Sequence, residues 1–154
     1  MRVRRATPDD APELVRLRGV MFDAMGVDHA AEPEWPAACE RVLRDRLASG
    51  EMAAFVVDGD GGGLAAGGVG MVAQRLPSPR NPNGLHGYVQ SMATDPAARR
   101  RGYAREVFAA LLEWFAERGV GSVDLHATEA GAALYRQFGF SEPRHPTLGW
   151  RAPR

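Results

Sequence analysis

Met92-Ala93-Thr94-Asp95-Pro96-Ala97-Ala98-Arg99-Arg100-Arg101-Gly102-Tyr103-Ala104-Arg105 runs from the end of an apolar strand, through a proline-bearing turn and three arginines, to a glycine that opens an amphipathic helix. The first backbone N–H groups of a helix have no intrahelical partners, and the macrodipole is positive at that end. Such an end is a ready anion site, and a phosphate is its usual guest. Gly102 carries no Cβ to keep a phosphate from the backbone, and small Ala104 leaves the next turn clear. Arg99, Arg100, Arg101 and Arg105 add positive charge at the rim.

Working outward, Ala104, Val107, Phe108, Leu111, Leu112 and Phe115 recur at helical spacing and predict a helix from Gly102 to about Arg118, closed by Gly119 and Gly121. Ser122 to Ala127 reads as a strand, Ala132 to Phe138 as a short helix stopped by Gly139, and Phe140 as the start of a final extended segment. Upstream, Tyr88 to Thr94 is a strand, preceded by a loop whose Pro77, Pro79 and Pro82 exclude a central strand. Ala53 to Val57 and Leu64 to Arg75 make a hairpin around the glycine-rich turn Asp58 to Gly63. At the N-terminus, Val3 to Ala6 is a strand, and Thr7-Pro8-Asp9-Asp10 carries a cap, a first-turn proline and first-turn acids. Leu14, Leu17, Val20, Met21 and Met25 then mark a helix to about Gly26. A second helix spans Trp35 to Ala48, with Cys39, Val42, Leu43 and Leu47 on one side and Gly50 to end it. The order is strand, two helices, three strands, helix, strand, helix, strand, with no repeat or linker, so residues 1–154 are expected to form one α/β domain.

A second informative pattern is Leu134-Tyr135-Arg136-Gln137-Phe138-Gly139-Phe140. Together with Arg99-x-x-Gly102-x-Ala104 it resembles the GNAT N-acetyltransferase family, whose patterns are Gln/Arg-x-x-Gly-x-Gly/Ala and Leu-Tyr-x-x-x-Gly-Phe. Either pattern alone is weak; the pair, separated by one helix and one strand, is specific. The resemblance implies an acyl-CoA N-acyltransferase fold: a mixed α/β (α+β) architecture with a twisted, mainly antiparallel sheet, helices on both faces, and two central strands splayed apart at the cofactor. It implies acetyl-CoA as co-substrate, with the pyrophosphate on Arg99, Arg100, Arg101, Gly102, Tyr103, Ala104 and Arg105, and the pantetheine arm along Met92, Ala93 and Thr94. The Met92 amide would face the thioester oxygen, a placement that stabilises a developing oxyanion. Tyr135 would protonate the leaving thiolate, since a phenol is a proton donor at neutral pH. Thr128 stands where the family often has Asn. The acceptor pocket would draw on Phe22, Met25, Gln90 and His126. For the group that deprotonates the acceptor, a water relay, His126 and Glu129 are all candidates.

Composition excludes other classes. Nineteen basic and nineteen acidic side chains give no net charge, so neither nucleic acid nor an anionic membrane is expected as a partner. Interleaved aromatics for base stacking are also lacking around the arginine run. Every basic side chain outside histidine is arginine, which rules out a Schiff-base lysine. Cys39, the only cysteine, fits a reducing compartment and reads as a small buried residue rather than a nucleophile. The N-terminus lacks the apolar stretch of a signal peptide, so a cytoplasmic location is expected. His29, His86, His126 and His145 show no metal-ligand spacing, and no metal is expected. Gly68-x-Gly70-x-x-Ala73 superficially matches a dinucleotide fingerprint, but Gln74-Arg75-Leu76-Pro77 follows where a helix should open. The rival reading is a non-catalytic acetyl-CoA sensor or docking module, which would keep the arginine–glycine loop and dispense with Tyr135. The acceptor is a small amine or a protein N-terminus, and a homodimer is compatible with the family.

Overall fold

The computed structural model describes residues 2–153. The chain starts in β1 (Val3–Arg5) and tightens through a 3-10 turn (Pro8–Asp10) into α1 (Ala11–Ala24). Thr7 donates its amide to the Asp10 carboxylate at 2.8 Å, satisfying a group that the turn would leave orphaned. Helix α1 buries Ala11, Leu14 and Leu17, three residues apart, against the sheet. Helix α2 (Trp35–Ser49) ends at Gly50, whose φ of 82° is the left-handed conformation that glycine adopts without a Cβ penalty. Val42 does not join its apolar side: it is 46% exposed, whereas neighbouring Leu43 is buried.

Strands β2 (Met52–Asp58), β3 (Leu64–Gln74), β4 (Leu85–Thr94) and β5 (Ser122–Leu125) complete a five-stranded sheet in the order β1-β2-β3-β4-β5. The first four strands run antiparallel, and β5 lies parallel to β4. A parallel neighbour requires a long crossover, which α3 (Tyr103–Glu117) provides. Helix α4 (Glu129–Gln137) follows β5. It starts before the predicted Ala132 because Thr128 caps it, its Oγ1 accepting the Gly131 amide at 3.2 Å.

Each face of the sheet carries its own core. Under α3 lie Ala53, Val57, Val89 and the fully buried Val107, Phe108 and Leu111. Under α1 and α2 lie Leu14, Leu17, Leu43, Ala54, Val56 and Val69. Gly68 and Gly70 let α3 approach β3: a Cβ on Gly70 would stand 2.9 Å from Phe115, and one on Gly68 3.0 Å from Val107. Packing therefore explains the glycines of the superficial dinucleotide pattern. Cys39 packs at the edge of the second core, where burial pushes its thiol pKa up, the opposite of what a nucleophile needs.

The expected last strand does not form. Residues 138–153 contain no strand or helix, and Leu148 and Trp150 are 88% and 82% exposed. Pro143 and Pro146 remove two of the amide donors that a ladder would need. The strand next to β4 at the splay is consequently the sheet edge, β5, and not a central strand.

Arg4 ties β1 to both neighbouring turns, reaching Asp10 at 2.9 Å through two nitrogens and Asp58 at 2.9 Å. Its hydrogen bonds hold the Asp10 carboxyl below the ordinary carboxylate range, more strongly than burial raises it. A carboxylate whose folded pKa is depressed contributes stability that is complete above its unfolded pKa and lost as pH falls through the folded one. Arg4→Gln should therefore flatten the acid side of a stability–pH curve measured by urea unfolding. A variant curve parallel to wild type would remove this pair from the acid response.

Candidate active site

Strands β4 and β5 pair from His86↔Ser122 to Val89↔Leu125, where β5 ends. Strand β4 continues to Thr94, so the two part beyond Val89 and leave a wedge. Strand β4 is also bulged on its other side. Gly67 pairs with Ala93 and Val69 with Gln90, so Gly68 faces both Ser91 and Met92, and Ser91 takes a φ of 61°. The extra residue shifts the alternation of side chains. Gln90 lies on the α1 face, bonded to the Met71 sulfur at 3.4 Å, whereas Met92 turns its sulfur towards Gly68 under α3. Ala93 then returns to the α1–α2 core.

A groove of about 530 Å³ occupies the wedge. One wall is α1, through Val20, Met21, Ala24 and Met25; the second is Met92, Ala93, Thr94 and Arg99; the third is Thr128, Glu129 and Ala130. Phe22 does not line it. Its ring packs edge-on to Trp35 at 5.4 Å and against His29 at 6.0 Å, holding the α1–α2 connection instead.

The turn after β4 is fastened from several sides. The Asp95 amide donates to the Ala65 carbonyl at 2.8 Å, and its carboxylate receives the Ala97 amide at 3.3 Å. Arg16 reaches the same carboxylate at 3.0 Å while pairing with Glu13 at 2.8 Å, and Glu13 accepts the Leu64 amide at 2.7 Å. This clamp is invisible in sequence, because its members lie far apart in the chain. Arg100 and Gly102 both adopt left-handed backbone, with φ of 65° and 79°. A Cβ at Gly102 would meet no atom within 4 Å, so open space lies directly before the α3 N-terminus.

The arginines divide between two tasks. Arg99 lines the groove, its Nε 3.4 Å from the Thr94 carbonyl, and Arg100 and Arg101 are exposed at the rim. Arg105 turns away: it bonds Gln137 and covers the Phe138 ring at 5.4 Å, bracing α4 against α3. Tyr103 is half-buried, with the Arg2 guanidinium over its ring at 4.6 Å. Ala104, in the first turn of α3, is half-buried.

Tyr135 sits on α4 beside Phe108, ring centroids 4.9 Å apart. Burial pushes its phenol pKa up, so it stays protonated throughout the neutral range. Thr128 spends its hydroxyl on the helix cap, although it lines the groove. On the α1 face of β4 and β5, Tyr88 hydrogen-bonds His126 Nδ1. Beside them, buried His86 bonds the Ser122 hydroxyl through Nδ1 at 2.7 Å, and its Nε2 lies 3.0 Å from Asp124 at angles that make no hydrogen bond. Tyr88 and Ser91 escaped the sequence reading. Neither a hydroxyl in a strand nor a left-handed serine has a local signature.

A family model described as "Acetyltransferase (GNAT) family" matches residues 21–140. A solved GCN5-related N-acetyltransferase from Ralstonia eutropha JMP134 shares 31% identity, with 96% of this chain and 97% of that one covered and a TM-score of 0.84. A predicted acetyltransferase from Clostridium acetobutylicum, solved with acetyl-CoA, superimposes with a TM-score of 0.85 at 22% identity, covering 96% and 94%. Glucosamine-6-phosphate N-acetyltransferase from Arabidopsis thaliana has the same fold, with a TM-score of 0.73 at 18% identity and 96% coverage of both chains. Among curated proteins, none matches the sequence. With a family match over most of its length, a wedge between β4 and β5, and an open helix N-terminus beside it, the chain belongs to the GNAT acetyltransferase family and is an acyltransferase.

Proposed function

We propose that this chain transfers an acetyl group from acetyl-CoA to a primary amine by direct attack, with no acyl-enzyme. The observation that carries the reading is the junction of two features: a strand wedge wide enough for an extended arm, and a glycine-lined helix N-terminus at its end. The space before Gly102 fits a pyrophosphate, because a side chain there would fill it and the α3 amides point into it. Arg99, Arg100 and Arg101 supply the countercharge, while Met92, Ala93 and Thr94 offer strand backbone to the pantetheine amides. Acetyl-CoA, as substrate, supplies the activated thioester.

In this reading the Met92 amide steadies the oxyanion, and Tyr135 gives its proton to the departing sulfur. The apolar wall of α1, with Met25 and the neighbouring Met21, takes the body of the acceptor, and Gln90 contributes an amide on the same face. A small amine and a protein N-terminus both meet these requirements, and the cytoplasm would supply both. Calorimetric titration with acetyl-CoA tests the first half; micromolar affinity, about −8 kcal/mol, is expected. Thiol release in the presence of amines tests the second. Binding without thiol release from any amine would favour a sensor.

Tyr135→Phe should lower kcat about 100-fold, within the range for losing a general acid, and leave acetyl-CoA affinity within a factor of about two. Unchanged turnover would remove Tyr135 from the mechanism.

A further inference from the structure

An amine that attacks a thioester must shed a proton, and the walls of the groove offer few groups to take it. Helix α1 presents Val20, Met21, Ala24 and Met25, none of which titrates. Strand β4 presents Met92, Ala93 and Thr94 along the wedge, with Gln90 before them. Glu129 stands on the third wall, exposed at the first turn of α4, where the helix dipole favours the charged carboxylate and so weakens it as a base. His86 is buried, with Ser122 on one nitrogen and Asp124 against the other.

One further pair stands where the strands part. Tyr88 and Asp124 are cross-strand partners, and Val89↔Leu125 is the last pairing of β4 with β5. His126 is the next residue, on the same face as Tyr88 and immediately before the segment that forms the third wall. The two rings meet edge to face, 5.8 Å between centroids and 63° between planes, and the Tyr88 hydroxyl bonds His126 Nδ1. Nε2 of His126 has no hydrogen-bond partner among the described residues. A bond at one ring nitrogen sets the tautomer of the other.

We infer that His126 is the general base of the reaction and that Tyr88 is the residue that positions it; the inference rests on the acetyl-transfer reading above. With Nδ1–H donated to the Tyr88 oxygen, Nε2 carries the free lone pair. It takes one proton from the acceptor ammonium. The freed nitrogen pair attacks the thioester carbon, forming the C–N bond. The C–S bond breaks, sulfur leaves with its electron pair, and Tyr135 protonates it. The nitrogen loses its second proton as the adduct collapses, restoring the phenol, and His126 returns the first proton to water. The titratable groups around the base are Tyr88 and His86 on β4, Asp124 on β5 and Glu129 on α4. An imidazole is the side chain suited to this exchange near neutral pH.

The test measures thiol release against pH, with an arylalkylamine, a sugar amine and an amino-acid amide as probes, and acetyl-CoA affinity by calorimetry. Wild-type kcat/KM should fall on the acid side as the base becomes protonated. His126→Gln should lose about 100-fold in kcat/KM together with that acid limb, at unchanged acetyl-CoA affinity. In His126→Gly, added imidazole should restore part of the rate. Tyr88→Phe should cost about 10-fold in kcat, within the range for a misoriented group, and shift the limb without abolishing it. An active wild type whose His126→Gln variant keeps its rate and acid limb would overturn the assignment of His126 alone. A folded wild type that binds no acetyl-CoA, or releases no thiol with any probe, would overturn the acetyl-transfer reading and this inference with it.

Discussion

Gly102→Glu is expected to lower acetyl-CoA affinity by at least about 100-fold, to the point where calorimetric titration records little heat. Gly102 caps α3 at a φ of 79°, a conformation that costs a residue with a Cβ roughly 1–2 kcal/mol. That strain falls on the folded state whether or not ligand is present, so it should appear mainly as lost stability. Binding suffers from the charge. A carboxylate placed in the open space before the α3 amides would occupy the anion site itself and repel the pyrophosphate. At about 4 Å and an effective dielectric of ~20, one like-charge pair costs about 4 kcal/mol, enough to exceed two decades in affinity. Gly102→Ala separates the two effects, since it keeps the strain without the charge and meets no atom within 4 Å. It should bind acetyl-CoA far better than the glutamate variant. Wild-type affinity in a folded Gly102→Glu protein would show that the phosphates lie elsewhere.

Phe108→Ala should lower the unfolding free energy by about 3–5 kcal/mol, the range for removing a fully buried aromatic ring. Phe108 has no exposed surface, and its ring stands 4.9 Å from Tyr135, 5.1 Å from Phe138 and 5.3 Å from Phe140. It therefore connects the helix that carries the phosphate loop to the helix that carries Tyr135. Truncation leaves a cavity beneath α4, and the Tyr135 phenol loses the ring that fixes its height over the wedge. In denaturant titrations the midpoint should fall at constant slope. Thiol release should drop more than acetyl-CoA affinity, because the anion site at Gly102 is built from backbone that Phe108 does not touch directly. A loss below about 1 kcal/mol would mean that α4 is secured by other contacts, such as Arg105 on Gln137 and Phe138.

The elements that were legible in the sequence are those with strong local chemistry. The period of Val107, Phe108, Leu111 and Phe115 predicts α3 to within a residue or two, and glycines at 50 and 119 mark helix ends where a left-handed residue is needed. The phosphate loop was legible because its function depends on backbone conformation, which a glycine and a flanking helix announce locally. Errors gathered at the two places where partners outside the local chain decide the outcome. A final strand was expected from Phe140 onward, but apolar residues there cannot pair through Pro143 and Pro146. Phe22 has the spacing of a pocket residue, yet Trp35 and His29 hold it.

By itself the sequence determined the order of elements, the family and the loop that faces the phosphates, since each follows from residue types at fixed spacing. Tertiary structure decided how the groove is armed. The bulge at Ser91 reverses the faces of Met92 and Ala93, the Glu13–Arg16–Asp95 clamp aims the loop, and Tyr88 meets His126 across strands joined through α3. These contacts span up to 79 positions of chain, between Arg16 and Asp95. A pairing at that separation has no local pattern, because it is chosen by the register of the sheet and the packing of helices upon it.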